Sequence, residues 1–199
     1  MNFLAHVYLS GSDQEKAIGN FIADSVRGKQ YLEFPKAIQH GILLHREIDT
    51  FTDTHPIWRE NKKLLVPAYN HYAAVIIDMY YDHFLAKNWS DYHAVPLADY
   101  AAQFYATLEA NFAVLPEKIQ NFLPIMIQED WFTCYESIEG LGYILYQMDR
   151  RTKGVSKMSK ATVELEAYYN ILEKDFIRFF KELETYVAFV QHSPRFTTI

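Results

Sequence analysis

The chain has 199 residues, of which 50% are hydrophobic and 22% charged, and its formal net charge is −6. That balance excludes a disordered chain, and the negative total argues against nucleic acid as the principal partner. One cysteine, Cys134, rules out a disulfide framework, the opening residues lack the basic start of a secretory signal, and no run approaches the roughly 18 apolar residues of a membrane span. A cytoplasmic protein that does not enter membranes is expected.

In chain order the pattern is helical almost throughout. Ser12, with Glu15 three residues later, reads as a capping box opening a helix through Ile18, Phe21, Ile22 and Val26 that stops at Gly28. Pro35 starts a second helix carrying Ile38, Ile42, Leu44 and Ile48. Asp53 or Thr54 can cap a third, with Pro56 in its first turn. Tyr72 to Phe84 is apolar nearly all round, which marks a central buried helix. Further helices are expected from about Leu97 to Val114 and from Ser137 to Gln147, with a short piece bracketed by Pro116 and Pro124. The last, from about Lys160 to Gln191, carries one long apolar stripe. With no repeat, low-complexity tract or linker, residues 1–199 read as a single all-α domain of irregular packing.

Ionisable residues inside these apolar segments carry the chemistry, because burying an unpaired carboxylate costs several kcal/mol and demands compensation. His45 and Asp49 are four apart on an inward helical face, a chelating separation that also suits a structural hydrogen bond. Gly41, one turn earlier, leaves room for another backbone or a ligand. Asp78 and Asp82 share a face of the most buried helix, while His83 lies about 100° further round. Either Asp82 or His83 can be a ligand with the other orienting it, or a carboxylate here can be neutralised by Arg27 or Arg46. Asn20 and Asp24 share a face. Asp24 can be a ligand with Arg27 on a phosphate, or the two can simply pair. His6 sits in an apolar opening, where a satisfied core histidine is the commoner outcome. Arg150, Arg151, Lys153, Lys157 and Lys160 form a basic run that can dock an anionic partner or remain a solvated loop.

These segments also carry a family resemblance. Asn2-Phe3-Leu4-Ala5-His6, Gly19-Asn20 leading to Ala23-Asp24 and Val26-Arg27-Gly28, Gly41-Ile42, His45-Arg46 with Ile48-Asp49, Thr52-Asp53, and Asp82-His83-Phe84-Leu85 with Trp89 together resemble the bacterial acyl carrier protein phosphodiesterases. The likeness is dense over residues 1 to about 90. It implies an all-α, HD-domain-like enzyme, distantly similar to the HD-domain metal phosphohydrolases. The implied reaction is Mn²⁺-dependent hydrolysis of the phosphodiester joining 4′-phosphopantetheine to a serine of acyl carrier protein. The dipeptide that names the HD group stands here in reversed order, as Asp82-His83, so ligands cannot be copied from that group.

Residues and resemblance together point to His6, Asp24, His45 and Asp82 as metal ligands, with Asp49 or His83 as general base or orienter. Arg46 and Arg27 are the expected phosphate contacts, and Arg150, Arg151 and Lys153 the expected docking surface for an acidic carrier protein. Oxygen and imidazole donors suit Mn²⁺, Fe²⁺ or Mg²⁺. The rival readings are an HD-like phosphohydrolase of a small nucleotide or other phosphodiester, and a non-catalytic helical binding module.

Overall fold

Segments with an apolar residue every third or fourth position fold as α-helices in the computed structural model, which describes residues 1–193 and Phe196. They are α1 (Phe3–Tyr8), α2 (Gln14–Ile22), α3 (Lys36–Thr54), α4 (Pro56–Tyr69), α5 (Ala73–Lys87), α6 (Leu97–Ala110), α7 (Glu117–Gln128), α8 (Trp131–Cys134), α9 (Ile138–Arg151) and α10 (Thr162–Gln191). Among the described residues there is no strand, and no helix is long and apolar enough to cross a membrane. The all-α expectation holds.

Local details depart from expectation in instructive ways. The cap of α2 is Asp13, not Ser12: its carboxylate accepts from the Lys16 N–H at 3.0 Å. This helix ends at Ile22 rather than Val26, and a 3₁₀ turn over Ala23–Ser25 follows, leaving Asp24 exposed. Pro124 interrupts nothing. Its ring is exposed and α7 runs through it.

Helix α5 is the centre. Ile76, Ile77, Met79, Tyr80, Tyr81, Phe84 and Leu85 are fully buried, and such side chains contribute about 1.5–3 kcal/mol each. Helix α10, about 45 Å long at 1.5 Å per residue, lays Phe176, Phe179, Phe180 and Leu183 into this core. The Phe176 ring meets those of Tyr81 and Phe84 at 5.4 and 5.9 Å.

The contact that builds the site is between α2 and α3. A Cβ on Gly41 would fall 2.0 Å from the Lys16 carbonyl oxygen, and one on Gly19 would fall 2.1 Å from that of Ile38. The two backbones therefore touch, which only glycine permits. The room expected at Gly41 is filled by main chain, and the crossing brings Asn20 of α2 against His45 of α3.

Candidate metal centre

Helix α1 is six residues long, too short to persist alone. Its position is set by Asp82 of α5, whose Oδ2 accepts from the Leu4 N–H at 2.8 Å and Oδ1 from the Ala5 N–H at 3.2 Å. These first-turn donors have no partner within the helix, and a carboxylate from another helix takes the place of a local cap. Burial pushes the Asp82 carboxyl up to about 7, against the opposing pull of those two N–H bonds. Its expected role as a ligand is not what the geometry presents: both oxygens are committed to main chain, outside the cluster described next.

One turn along α1, His6 reaches that cluster. His6, His45 and Asp49 each offer a donor atom, all within 4.8 Å of one another. His45 Nε2 lies 3.0 Å from Asp49 Oδ2 and 3.3 Å from Asp24 Oδ1, and His6 Nε2 lies 3.2 Å from Asp49 Oδ1. The His6 and His45 rings stack with centroids 3.9 Å apart. Of these groups the two imidazoles are buried, while the Asp49 and Asp24 side chains are 40% and 69% exposed. The site has a dry imidazole floor and an acidic, solvent-facing rim.

Asn20 fixes both tautomers. Its side-chain oxygen lies 2.8 Å from His6 Nδ1 and its main-chain oxygen 2.8 Å from His45 Nδ1. The Asn20 amide is itself oriented, since its Nδ2 donates to the His6 carbonyl and to Ser10 Oγ. Both partners of the Nδ1 atoms are acceptors, so each Nδ1 carries a proton and each Nε2 is the nitrogen left facing Asp49, the one a metal would take. This is how second-sphere groups prepare histidines for a metal. His6 Nε2 is a buried nitrogen 3.2 Å from Asp49 Oδ1 that makes no hydrogen bond of acceptable geometry, so it is free to serve as a donor to a cation. The residues present fit a divalent cation.

The charges agree. Burial opposes a proton on His45, but Asp24 and Asp49 outweigh it and raise the imidazole to about 9. Burial and the neighbouring His45 lower His6 to about 4. Burial acts against ionised Asp49, yet the facing imidazoles of His45 and His6 and the Met1 ammonium hold its carboxyl well below the carboxylate range. Without an ion, one proton on His45 supplies the cation that the carboxylates demand.

Sequence reasoning missed two neighbours. The Met1 ammonium lies 3.3 Å from Asp78 Oδ1 and 3.7 Å from Asp49 Oδ1, and Trp58 Nε1 donates to Asp78 at 2.8 Å. Asn20 was legible only as a residue facing Asp24.

Other expected site residues lie elsewhere or act differently. His83 is buried between helices, with Nδ1 2.7 Å from the Tyr135 carbonyl oxygen and Nε2 2.9 Å from the Tyr169 hydroxyl. It orients nothing at the cluster. Arg46 Nη2 donates to the carbonyls of Val26 and Gly28, stapling the loop that follows Asp24. Arg27 is exposed on that loop. Arg150 and Lys153 are exposed, and Arg151 lies 5.7 Å over the Trp131 ring. The basic loop is ordered from within, since Asp149 accepts from the Ser156 and Ser159 hydroxyls at 2.7 and 2.6 Å.

Two imidazoles and a carboxylate on an all-helical frame are a donor set that could hold a divalent metal. A family model described as acyl carrier protein phosphodiesterase matches residues 1–183, and the chain belongs to that family. Similar proteins named acyl carrier protein phosphodiesterase include one from Yersinia pestis, 29% identical over 90% of this chain and 94% of the relative. Another, from Pectobacterium atrosepticum, is 28% identical over 92% of this chain and 95% of the relative. No solved structure matches the chain.

Proposed function

We propose that this protein is a metal-dependent phosphodiesterase that hydrolyses the phosphodiester between 4′-phosphopantetheine and a serine of acyl carrier protein, releasing apo carrier protein and 4′-phosphopantetheine. Family membership supports the substrate. The observation that carries the metal dependence is the pair of buried imidazoles whose Nδ1 atoms are both held by Asn20, leaving both Nε2 atoms beside Asp49.

His6, His45 and Asp49 would hold the ion, with Asp24 as a fourth donor on the solvent side. Mn²⁺ suits this oxygen-and-imidazole set, with Fe²⁺ or Mg²⁺ as alternatives. When bound, such an ion neutralises charge on the phosphodiester oxygens and lowers the pKa of the attacking water. The chain's own residues do the rest. Asn20 holds the imidazoles in the binding tautomer, the apolar floor of α2 and α3 excludes water beneath them, and Arg46 holds the loop carrying Arg27 beside Asp24. Arg27, exposed on that loop, would serve as an anion contact. Arg150, Arg151 and Lys153 offer a cationic face to an acidic carrier, whose approach they would steer. A cytoplasmic location follows from this substrate.

Mass spectrometry of holo carrier protein incubated with this protein tests the reading. Mn²⁺ should bring loss of the prosthetic group, and excess chelator should prevent it. Holo carrier left intact in the presence of Mn²⁺ would overturn it.

A further inference from the structure

A cavity of about 290 Å³ flanks the metal cluster, and its lining joins two features treated separately so far. Asp24 and Met1 belong to it, and both contact the cluster, Asp24 at 3.3 Å from His45 Nε2 and the Met1 ammonium at 3.7 Å from Asp49. Arg151, from the basic run, belongs to it too.

The walls are prearranged. Trp131 Nε1 and the Tyr143 hydroxyl both donate to Glu129, at 3.0 and 2.9 Å, and Gln147 Nε2 donates to the Tyr143 oxygen at 2.8 Å. The Phe122 ring stacks on Trp131 with centroids 5.6 Å apart. One carboxylate thus locks two of the rings that line the space, and its own charge is spent on them. Asp78, another lining acid, is spent on Trp58 and the Met1 ammonium. Apart from the charged groups of Asp24, Lys118 and Arg151, what remains is an aromatic and aliphatic wall with amide and hydroxyl groups among it. Such a lining suits an elongated, uncharged chain with alternating amide and alkyl segments, for which rigid apolar walls and a few placed polar groups give binding.

We infer that this cavity seats the pantetheine arm while the phosphodiester lies at the His6–His45–Asp49 cluster. The inference rests on the phosphodiesterase reading above and adds where the arm goes. The carrier protein, joined through its serine to the phosphate at the cluster, then stays outside on the solvent-facing Asp24–Asp49 side, and only its prosthetic group enters.

Filling the cavity tests this. Val75 and Met148 line it from positions that are not fully buried, so Val75→Trp and Met148→Trp should fold, and a retained Mn²⁺-induced thermal shift would verify it. Two substrates are compared, holo carrier protein and bis(4-nitrophenyl) phosphate, which has no arm. In each variant the ratio of kcat/KM for holo carrier to that for the small diester should fall at least about tenfold. Free pantetheine should bind wild type in a calorimetric titration and bind the variants more weakly. Unchanged ratios in both variants, or no binding of pantetheine to wild type, would overturn the inference. A wild-type protein that binds pantetheine yet hydrolyses neither substrate would keep the seat and sink the phosphodiesterase reading instead.

Discussion

The ring of His6 lies flat on the ring of His45, with centroids 3.9 Å apart and planes inclined by 17°. Two imidazolium ions could not share that spacing in a buried setting, so the pair accepts at most one positive charge among its Nε2 atoms. That charge can be a proton on His45 or a metal ion between the rings and Asp49.

Removing carboxylates should separate the two roles that buried acids play here. Asp49→Ala should keep the fold, abolish the thermal shift that Mn²⁺ produces and lower activity by about 100-fold or more. Asp82→Ala should instead strand the Leu4 and Ala5 N–H groups in the interior and cost about 2–4 kcal/mol, read as a lower urea midpoint. An Asp82→Ala protein of wild-type stability that no longer binds metal would reinstate Asp82 as a ligand.

Asn20 touches both histidines, yet nothing about it is a ligand. Asn20→Ala deletes the acceptor for His6 while the main-chain oxygen still serves His45. Mn²⁺ affinity should drop by roughly 10- to 100-fold with helicity preserved. Titration of Mn²⁺ against intrinsic fluorescence would measure it, and an unchanged affinity would contradict the tautomer argument.

How much of this site can be read from residues alone is uneven, and the reason is physical. His45 and Asp49 are visible because a helix converts a spacing of four into a shared face. The all-α frame is visible because its apolar periodicity is strong in every long segment. The hydrogen bonds of Asp82 are not legible in the sequence, because a buried acid announces only that it is compensated. Its compensators are N–H groups 77 and 78 positions away, which carry no sequence signature. His83 shows the same limit, its partners being a carbonyl in one helix boundary and a hydroxyl in α10. Asn20 was hidden because its value comes from the Gly19–Gly41 crossing, which no periodicity reports.

The His45 proton gives the metal site a pH dependence whose sign can be worked out. Its folded pKa of about 9 lies above the ordinary imidazole value of 6.5. The stability it contributes to metal-free protein is therefore fully present below pH 6.5 and lost as pH rises through about 9. An ion must displace that proton, so apparent Mn²⁺ affinity should rise about tenfold per pH unit across this window, with about one proton released. Calorimetry in buffers of different ionisation enthalpy would count it. A pH-independent affinity between 6.5 and 8.5 would be the contrary result.

Backbone contact between α2 and α3 admits no side chain. Gly41→Ala places a Cβ 2.0 Å from the Lys16 carbonyl oxygen, and the helices must separate. A loss of about 3 kcal/mol or failure to fold is expected, with weaker Mn²⁺ binding in any folded fraction. Chemical denaturation of the variant at fixed chelator concentration would show it.

Reversing charge at Arg150 and Lys153, both exposed and clear of the cluster, should raise KM for holo carrier protein and steepen no salt dependence for a small diester. Equal effects on both substrates would mean that the basic loop supports the enzyme rather than its partner.

The exposed rim has one further consequence. Asp24 and Asp49 face solvent, and the core that α5 and α10 share is built of apolar side chains. A cation held by those carboxylates would exchange through the solvent side without opening that core. Catalytic output would then follow the free metal supply of the surroundings within the lifetime of each polypeptide, and a chain stripped of its ion would be recoverable, not lost.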